Sequence, residues 1–313
     1  IGGFVTTYFD WRWIFWINLP IGLLGLALAQ RYMPNIRAEA PRGMVWRGFA
    51  LAGPGVGALL SVLTLAGTDV VALWFAQALI AAGFALLVLY IRHALRVPEP
   101  LLDLRLLKLP TFRTSVVGGG LFRLGTGAIP FLLPLMLQVG FGLTPFQSGM
   151  ITFSGALGAL LMKFAARPLL RRFGFRQVLT FNALICAAML GLYALFTPET
   201  PHIVIGLVLL AGGFFRSLQF TCLNASAFAD VDEKSMSGAT AMVAVAQQLF
   251  LSTGVAMAAF ILETLRAAGD SGQLTAGDFS VAFLVVAGLT GLAAIMHGRL
   301  PRDAGRAVSG HGT

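Results

Sequence analysis

Apolar runs of about twenty residues recur along the chain, separated by short polar segments rich in Arg, Pro and Gly. An α-helix needs ~20 residues to cross a ~30 Å hydrocarbon core, and each run is close to that length. Nine complete transmembrane helices are predicted, at Trp13–Gln30, Gly48–Gly67, Val70–Ile91, Thr114–Gln138, Phe146–Ala166, Gln177–Thr197, Ile203–Phe228, Met236–Leu262 and Phe279–His297. Ile1 to Thr7 reads as the tail of a further helix, and with Ile at position 1 the chain is expected to begin inside a longer protein. The fold class is therefore all-α, a polytopic helical membrane protein. Between the third and fourth runs, the stretch Val97 to Arg113 alternates leucines with charges and is bracketed by prolines. It predicts a short linker helix in the membrane interface.

Composition agrees. Of the 313 residues, 57% are hydrophobic and 11% are charged, against about 25% charged in soluble chains. The net charge of +9 points to a nucleic-acid partner only until its placement is considered. If the first complete helix runs outward to inward and the others alternate, Arg12 and Arg266 lie outside while Arg123 and Arg216 lie within helices. The 22 Lys and Arg less these four leave 18 on the inner side, the asymmetry of the positive-inside rule. The basic balance reflects topology, and nucleic-acid binding is excluded as its explanation. The same topology places the C-terminus in the cytoplasm. Trp11, Trp13 and Trp16 mark an aromatic belt at the outer edge.

Catalytic chemistry finds no support. His93, His202, His297 and His311 lie at run ends or in the tail, without Cys, Glu or a second His at ligand spacing, so no metal site and no cofactor is expected. Cys186 and Cys222 sit in apolar runs, where a thiol packs as a small hydrophobe. Gly118 to Gly120 follows no strand and reads as a place where helices approach closely. No nucleophile and base are arranged together, and the protein is not read as an enzyme.

The unusual residues are Arg123 and Arg216, both near mid-membrane depth, where insertion costs about 2.5–3.5 kcal/mol unless the charge faces protein or a wet cavity. At 100° per residue, Gly119, Gly120, Thr126, Gly127, Pro130, Pro134 and Gln138 share the sector of Arg123. The sector of Arg216 holds Gln219, Phe220, Leu223 and Asn224. Such stripes mark a transport path, the alternative being that each arginine tethers neighbouring helices. Gln247 and Gln248 read foremost as interhelical glue, with Gln247 a further cavity-lining candidate. None of the 13 acidic residues falls in the bilayer core.

The segment IGGFVTTYFDWRWIFWINLPIG, Ile1 to Gly22, resembles the end of the antiporter motif and the W-R-W-x-F-x-I-N-x-P-x-G segment of the fourteen-helix drug:proton antiporters, the EmrB/QacA-type branch of the major facilitator superfamily. PLLDLRLL at Pro100 to Leu107 and FFRSLQFTCLNASAFADV at Phe214 to Val231 are similar to bacterial members. Gly2 and Gly3 would be the remnant of the antiporter motif. The basic loop RPLLRRFGFRQVL departs from the family, because Arg171 stands where an Asp would be; a topogenic loop remains its reading.

The resemblance implies a division into residues 1–31, the end of an N-terminal bundle; 32–92, a central pair of extra helices; 93–113, the linker; 114–298, a C-terminal six-helix bundle; and 299–313, a cytoplasmic tail. It implies a proton-coupled exporter of drugs or toxic amphiphiles working by alternating access in the bacterial inner membrane. Its cavity would be lined by Arg123, Thr126, Gln138, Arg216, Gln219, Phe220, Asn224 and Gln247. Its partners would be a small-molecule substrate, protons, the bilayer, the remaining N-terminal half and, in Gram-negative cells, a periplasmic adaptor with an outer-membrane channel. The coupling acids would lie on N-terminal helices outside the 313 residues. Export of an endogenous metabolite such as a siderophore is the nearest alternative; an intramembrane enzyme or a non-transporting sensor is a remote one.

Overall fold

A computed structural model describes residues 10, 12–33, 46–65, 73–97, 100–269, 273–301 and 304–305. Gly2, Gly3 and Trp11 lie outside these residues. The described chain is helical, in eight long elements: α1 (Trp13–Tyr32), α2 (Trp46–Leu65), α3 (Leu73–Ala94), α4 (Pro110–Gly140), α5 (Pro145–Tyr193), α6 (His202–Ala227), α7 (Met236–Ala268) and α8 (Ala276–Gly298). Because α5 comprises two of the predicted crossings, the nine predicted helices are all present. Eight crossings among the described residues, all but α1, are long and apolar enough to span a bilayer. The protein is an integral membrane protein.

Boundaries moved where local chemistry is stronger than hydropathy. The basic segment expected as a loop between Ala166 and Gln177 is helical on both sides of a single break at Gly174, whose φ of 70° and ψ of 170° suit a residue without Cβ. Charge did not end the helix there; one left-handed residue did. The start of α5 is set by Pro145 in the first turn and by a capping box in which Thr144 and Gln147 bond each other's backbone N–H. Thr275 and Asp278 start α8 in the same way. At the end of α4, Gly142 takes a φ of 70° and lets the Leu143 N–H reach back to the Leu137 carbonyl. With 33 residues, α7 is about 50 Å long and outruns the core, so its last turn carries the exposed Glu263–Arg266 pair outside the membrane.

The linker is not simply an interfacial amphipathic helix. It forms a 3₁₀ turn over Leu104–Lys108, capped by the Asp103 carboxylate on the Arg105 N–H. Leu106 is buried with Phe112, Val116, Ala227, Ala239, Met242 and Val243, against the ends of α4, α6 and α7. Tyr90 on α3 holds the linker by both backbone polar groups of one residue, accepting from the Leu102 N–H and donating to the Leu102 carbonyl.

Helix α4 is the most enclosed crossing, with 67% of its span buried against 11–44% for the other candidate spans, and it packs between α7 and α8. Its close approaches use small residues. A methyl on Gly120 would enter the Phe250 ring, one on Gly127 would lie 2.9 Å from Leu251 Cα, and one on Gly118 would lie 3.0 Å from Met296 Cβ. The triple glycine is thus a packing device, as expected. Helices α5 and α6 touch backbone to backbone at Gly155 and Gly158 against Leu210 and Gly213, where Ser217 also donates to the Ala159 carbonyl. One core gathers Leu132, Met136, Leu190, Ile205, Phe279 and Phe283; a second gathers Phe122, Met162, Leu179, Cys222 and Leu223. Large side chains such as Phe15, Phe153, Phe164, Phe181 and Phe260 face outward, as lipid contact requires.

Candidate functional site: two intramembrane arginines

Arg123 and Arg216 stand thirteen and fourteen residues from the starts of α4 and α6, about 20 Å along each helix and hence deep in the bilayer. Their surroundings differ.

Arg123 is 1% exposed. Its side chain runs back toward the start of α4, the direction helical side chains prefer. The guanidinium lies over Gly119, where an added methyl would be 2.6 Å from Nη1. Nη1 donates to the Ser115 carbonyl at 2.9 Å, and Nη2 approaches Asn224 Oδ1 at 3.5 Å. The Ser115 carbonyl is open to a side chain because Thr114–Gly118 forms a π turn in which the Gly119 N–H bonds the Thr114 carbonyl instead. Ser115 Oγ in turn donates to the Leu223 carbonyl at 2.6 Å. The Phe220 ring covers the guanidinium at 5.9 Å and meets Phe122 edge-on. Arg123 therefore ties α4 to α6.

Arg216 is only half-buried. It lines a cavity of about 270 Å³ with Ile129, Pro130, Leu133 and Pro134 of α4, Thr152, Gly155 and Tyr193 of α5, and Leu209 of α6. Among the described residues it forms no hydrogen bond and no ion pair.

The other expected lining residues disperse. Thr126 is buried but donates to the Phe122 carbonyl of its own helix. Gln138 lies in the π turn that ends α4, far along the helix from Arg123. Gln219 is fully buried and its amide is bonded to α5: Nε2 donates to the Leu179 carbonyl at 3.0 Å, and Oε1 accepts from Asn182 Nδ2 at 2.8 Å. The sector reading grouped Gln219 with Arg216; its amide groups are spent on α5. Phe220 and Asn224, also grouped with Arg216, touch Arg123 instead. Gln247 is half-buried on α7, one turn before Phe250 and Leu251, which cover Gly120 and Gly127 of α4. The Arg123 stripe divides as well, since Pro130 and Pro134, further along α4, line the cavity of Arg216.

Sequence reasoning missed a polar chain through the second core. Asn182 Nδ2 also donates to the Phe215 carbonyl at 2.8 Å, and Gln219 Nε2 lies 3.4 Å from Nδ1 of the fully buried His297. His297 was expected at a helix end; that end is enclosed by α4, where Gly118 leaves room for the ring. His297 Nε2 and Asn182 Oδ1 are buried without a partner among the described residues. Asn182 had a sequence signal, an amide inside an apolar run. Ser115 and Tyr193 had none that separates them from packing residues. No group of three or more His, Cys, Asp or Glu side chains suited to a metal occurs among the described residues.

The profile of the Major Facilitator Superfamily matches residues 1–254 and 115–310. The chain is 31% identical over 305 residues to the putative multidrug resistance protein MdtD of Salmonella heidelberg (strain SL476) and to that of Salmonella paratyphi A, and 32% identical over 317 residues to that of Pectobacterium atrosepticum. In each case 97% of this chain aligns, and it spans 65% of the relative's length. A helical bundle with a cavity at mid-membrane depth, matched along nearly its whole length by one superfamily profile, admits one classification: the chain belongs to the Major Facilitator Superfamily.

Proposed function

We propose that the protein is an exporter of drugs or toxic amphiphilic compounds, driven by proton antiport and working by alternating access in a bacterial inner membrane with its C-terminus in the cytoplasm. The observation that carries this reading is Arg216, a cation at mid-membrane depth that lines a cavity and is not consumed by helix packing. An intramembrane charge kept unpaired has its place on a substrate or ion path. Relatives named as putative multidrug resistance proteins support the same class of cargo. In this reading α4–α8 form the C-terminal half, α2 and α3 are the extra central helices, and α1 belongs with the N-terminal half. Arg123 positions α6 against α4, while Arg216 meets substrate. Alternating access moves two halves about a fixed midplane site, an arrangement for which this superfamily is itself a standard illustration.

The test is accumulation of a panel of anionic and cationic fluorescent amphiphiles in an efflux-deficient bacterium expressing the complete gene. Lower accumulation that an uncoupler reverses is expected for part of the panel. Arg216→Ala should restore full accumulation of those compounds at unchanged membrane abundance. Normal export by Arg216→Ala would remove the arginine from the substrate path.

A further inference from the structure

Resting on that exporter reading, we propose that the Arg216 cavity is a site for a small aromatic or branched carboxylate, held by Arg216 and the Tyr193 hydroxyl. The cavity's wall is apolar on the α4 and α6 sides, from Ile129, Pro130, Leu133, Pro134 and Leu209. Its polar lining side chains are Arg216, Tyr193 and Thr152, and no carboxylate side chain lines it. The Thr152 hydroxyl already donates to the Ser148 and Gly149 carbonyls of its own helix. The remaining two are donors with nothing to donate to: among the described residues neither the guanidinium nor the Tyr193 hydroxyl makes a hydrogen bond.

Tyr193 is fixed as well as unspent. Its ring is 3% exposed and is held by Phe196, stacked at 5.7 Å, and by Phe283, edge-on at 5.7 Å. Its hydroxyl rests against Gly212, one turn before Arg216 on α6, where any side chain would collide with it. The hydroxyl and the guanidinium are thereby brought to neighbouring turns of one helix.

A planar fork of N–H donors beside a fixed O–H matches the two oxygens of a carboxylate. A cationic amphiphile would meet a like charge and no carboxylate. Size sets the rest of the ligand. A cavity of about 150 Å³ accommodates a benzene ring, and about 270 Å³ here leaves space for a ring, its carboxylate and a short substituent. A neutral amide of the same shape keeps the apolar contacts but loses the charge-assisted bond.

The experiment is equilibrium binding of radiolabelled salicylate to the protein purified from the complete gene in nanodiscs, with salicylamide and benzyltrimethylammonium as competitors. Saturable salicylate binding is expected, displaced by neither competitor. Arg216→Gln should weaken it at least about tenfold, the loss of a charge-assisted hydrogen bond, and Tyr193→Phe about threefold. Arg266→Gln, outside the membrane, should leave it unchanged, and a retained melting temperature shows that each variant is folded. Equal binding by salicylamide, stronger binding by the cation, or unaltered binding in Arg216→Gln would overturn the site. Export of the fluorescent panel is measured on the same protein. Salicylate binding without export defeats the exporter reading and keeps the site; export without salicylate binding does the reverse.

Discussion

Replacing Gly158 by Ala tests whether the α5–α6 contact is built as tightly as the geometry states. An ideal Cβ on Gly158 would overlap the Leu210 carbonyl oxygen and lie 2.8 Å from its carbon and 3.0 Å from the Phe214 nitrogen. All three are backbone atoms, so no rotamer change relieves the contact and the helices must separate by about 1 Å to reach ordinary carbon contact near 3.5–4.0 Å. A gap of that size forfeits a quarter to a half of each dispersion well along the interface, and overpacking of this kind costs about 1–3 kcal/mol. Against this stands a gain of about 1 kcal/mol from replacing glycine by alanine inside a helix. The net expectation is a loss of up to about 2 kcal/mol. Gly288→Ala is the control, since nothing lies within 4 Å of its added methyl; it should gain the propensity term alone. Cys186 and Cys222 are free and buried, so a thiol-reactive fluorophore reports melting in detergent without an added label. Gly158→Ala should melt below the parent and Gly288→Ala at or above it. Equal midpoints for the two variants would refute the close contact, and with it the α5–α6 wall of the Arg216 cavity.

Asn182→Leu should destabilise by about 1–3 kcal/mol, because Gln219 Oε1 and the Phe215 carbonyl lose their donor in a dry site; with Gln219→Leu, a double-mutant cycle in the same melting assay should show coupling of at least about 0.5 kcal/mol, and strict additivity would deny the network. Arg123→Lys should lower the melting temperature, corresponding to about 1.5–3 kcal/mol for the bond to Ser115, while Arg216→Lys leaves it unchanged; the opposite pattern would reverse the roles assigned to the two residues. In a Cys-free background, Glu199→Cys should react with an impermeant maleimide added to intact cells and Asp232→Cys should not, and labelling of the second would invert the proposed topology.

The crossings were legible along the chain because membrane insertion is decided locally. About twenty apolar residues and their flanking charges suffice, and both are properties of a single segment. The close approach at Gly118–Gly120 was legible for a similar reason, since a helix face without side chains can do little else in a bundle. A basic run predicts a loop, but charge alone does not break a helix, and the path through Arg171 and Arg172 stays helical until the positive φ at Gly174. The two arginines looked alike because helical periodicity gives the direction of Cβ, whereas a guanidinium ends several bonds further on. Where it ends depends on which carbonyls the neighbouring backbone leaves free. A π turn released the Ser115 carbonyl, and Arg123 was consumed by it; α6 offered Arg216 no such partner, and its charge remained beside the cavity. Gln219 shows the same dependence. Its sector pointed to Arg216, but Asn182 and His297 reach it from α5 and α8, 37 and 78 residues away along the chain, and only the packing of the helices brings the two amides and the imidazole within bonding distance.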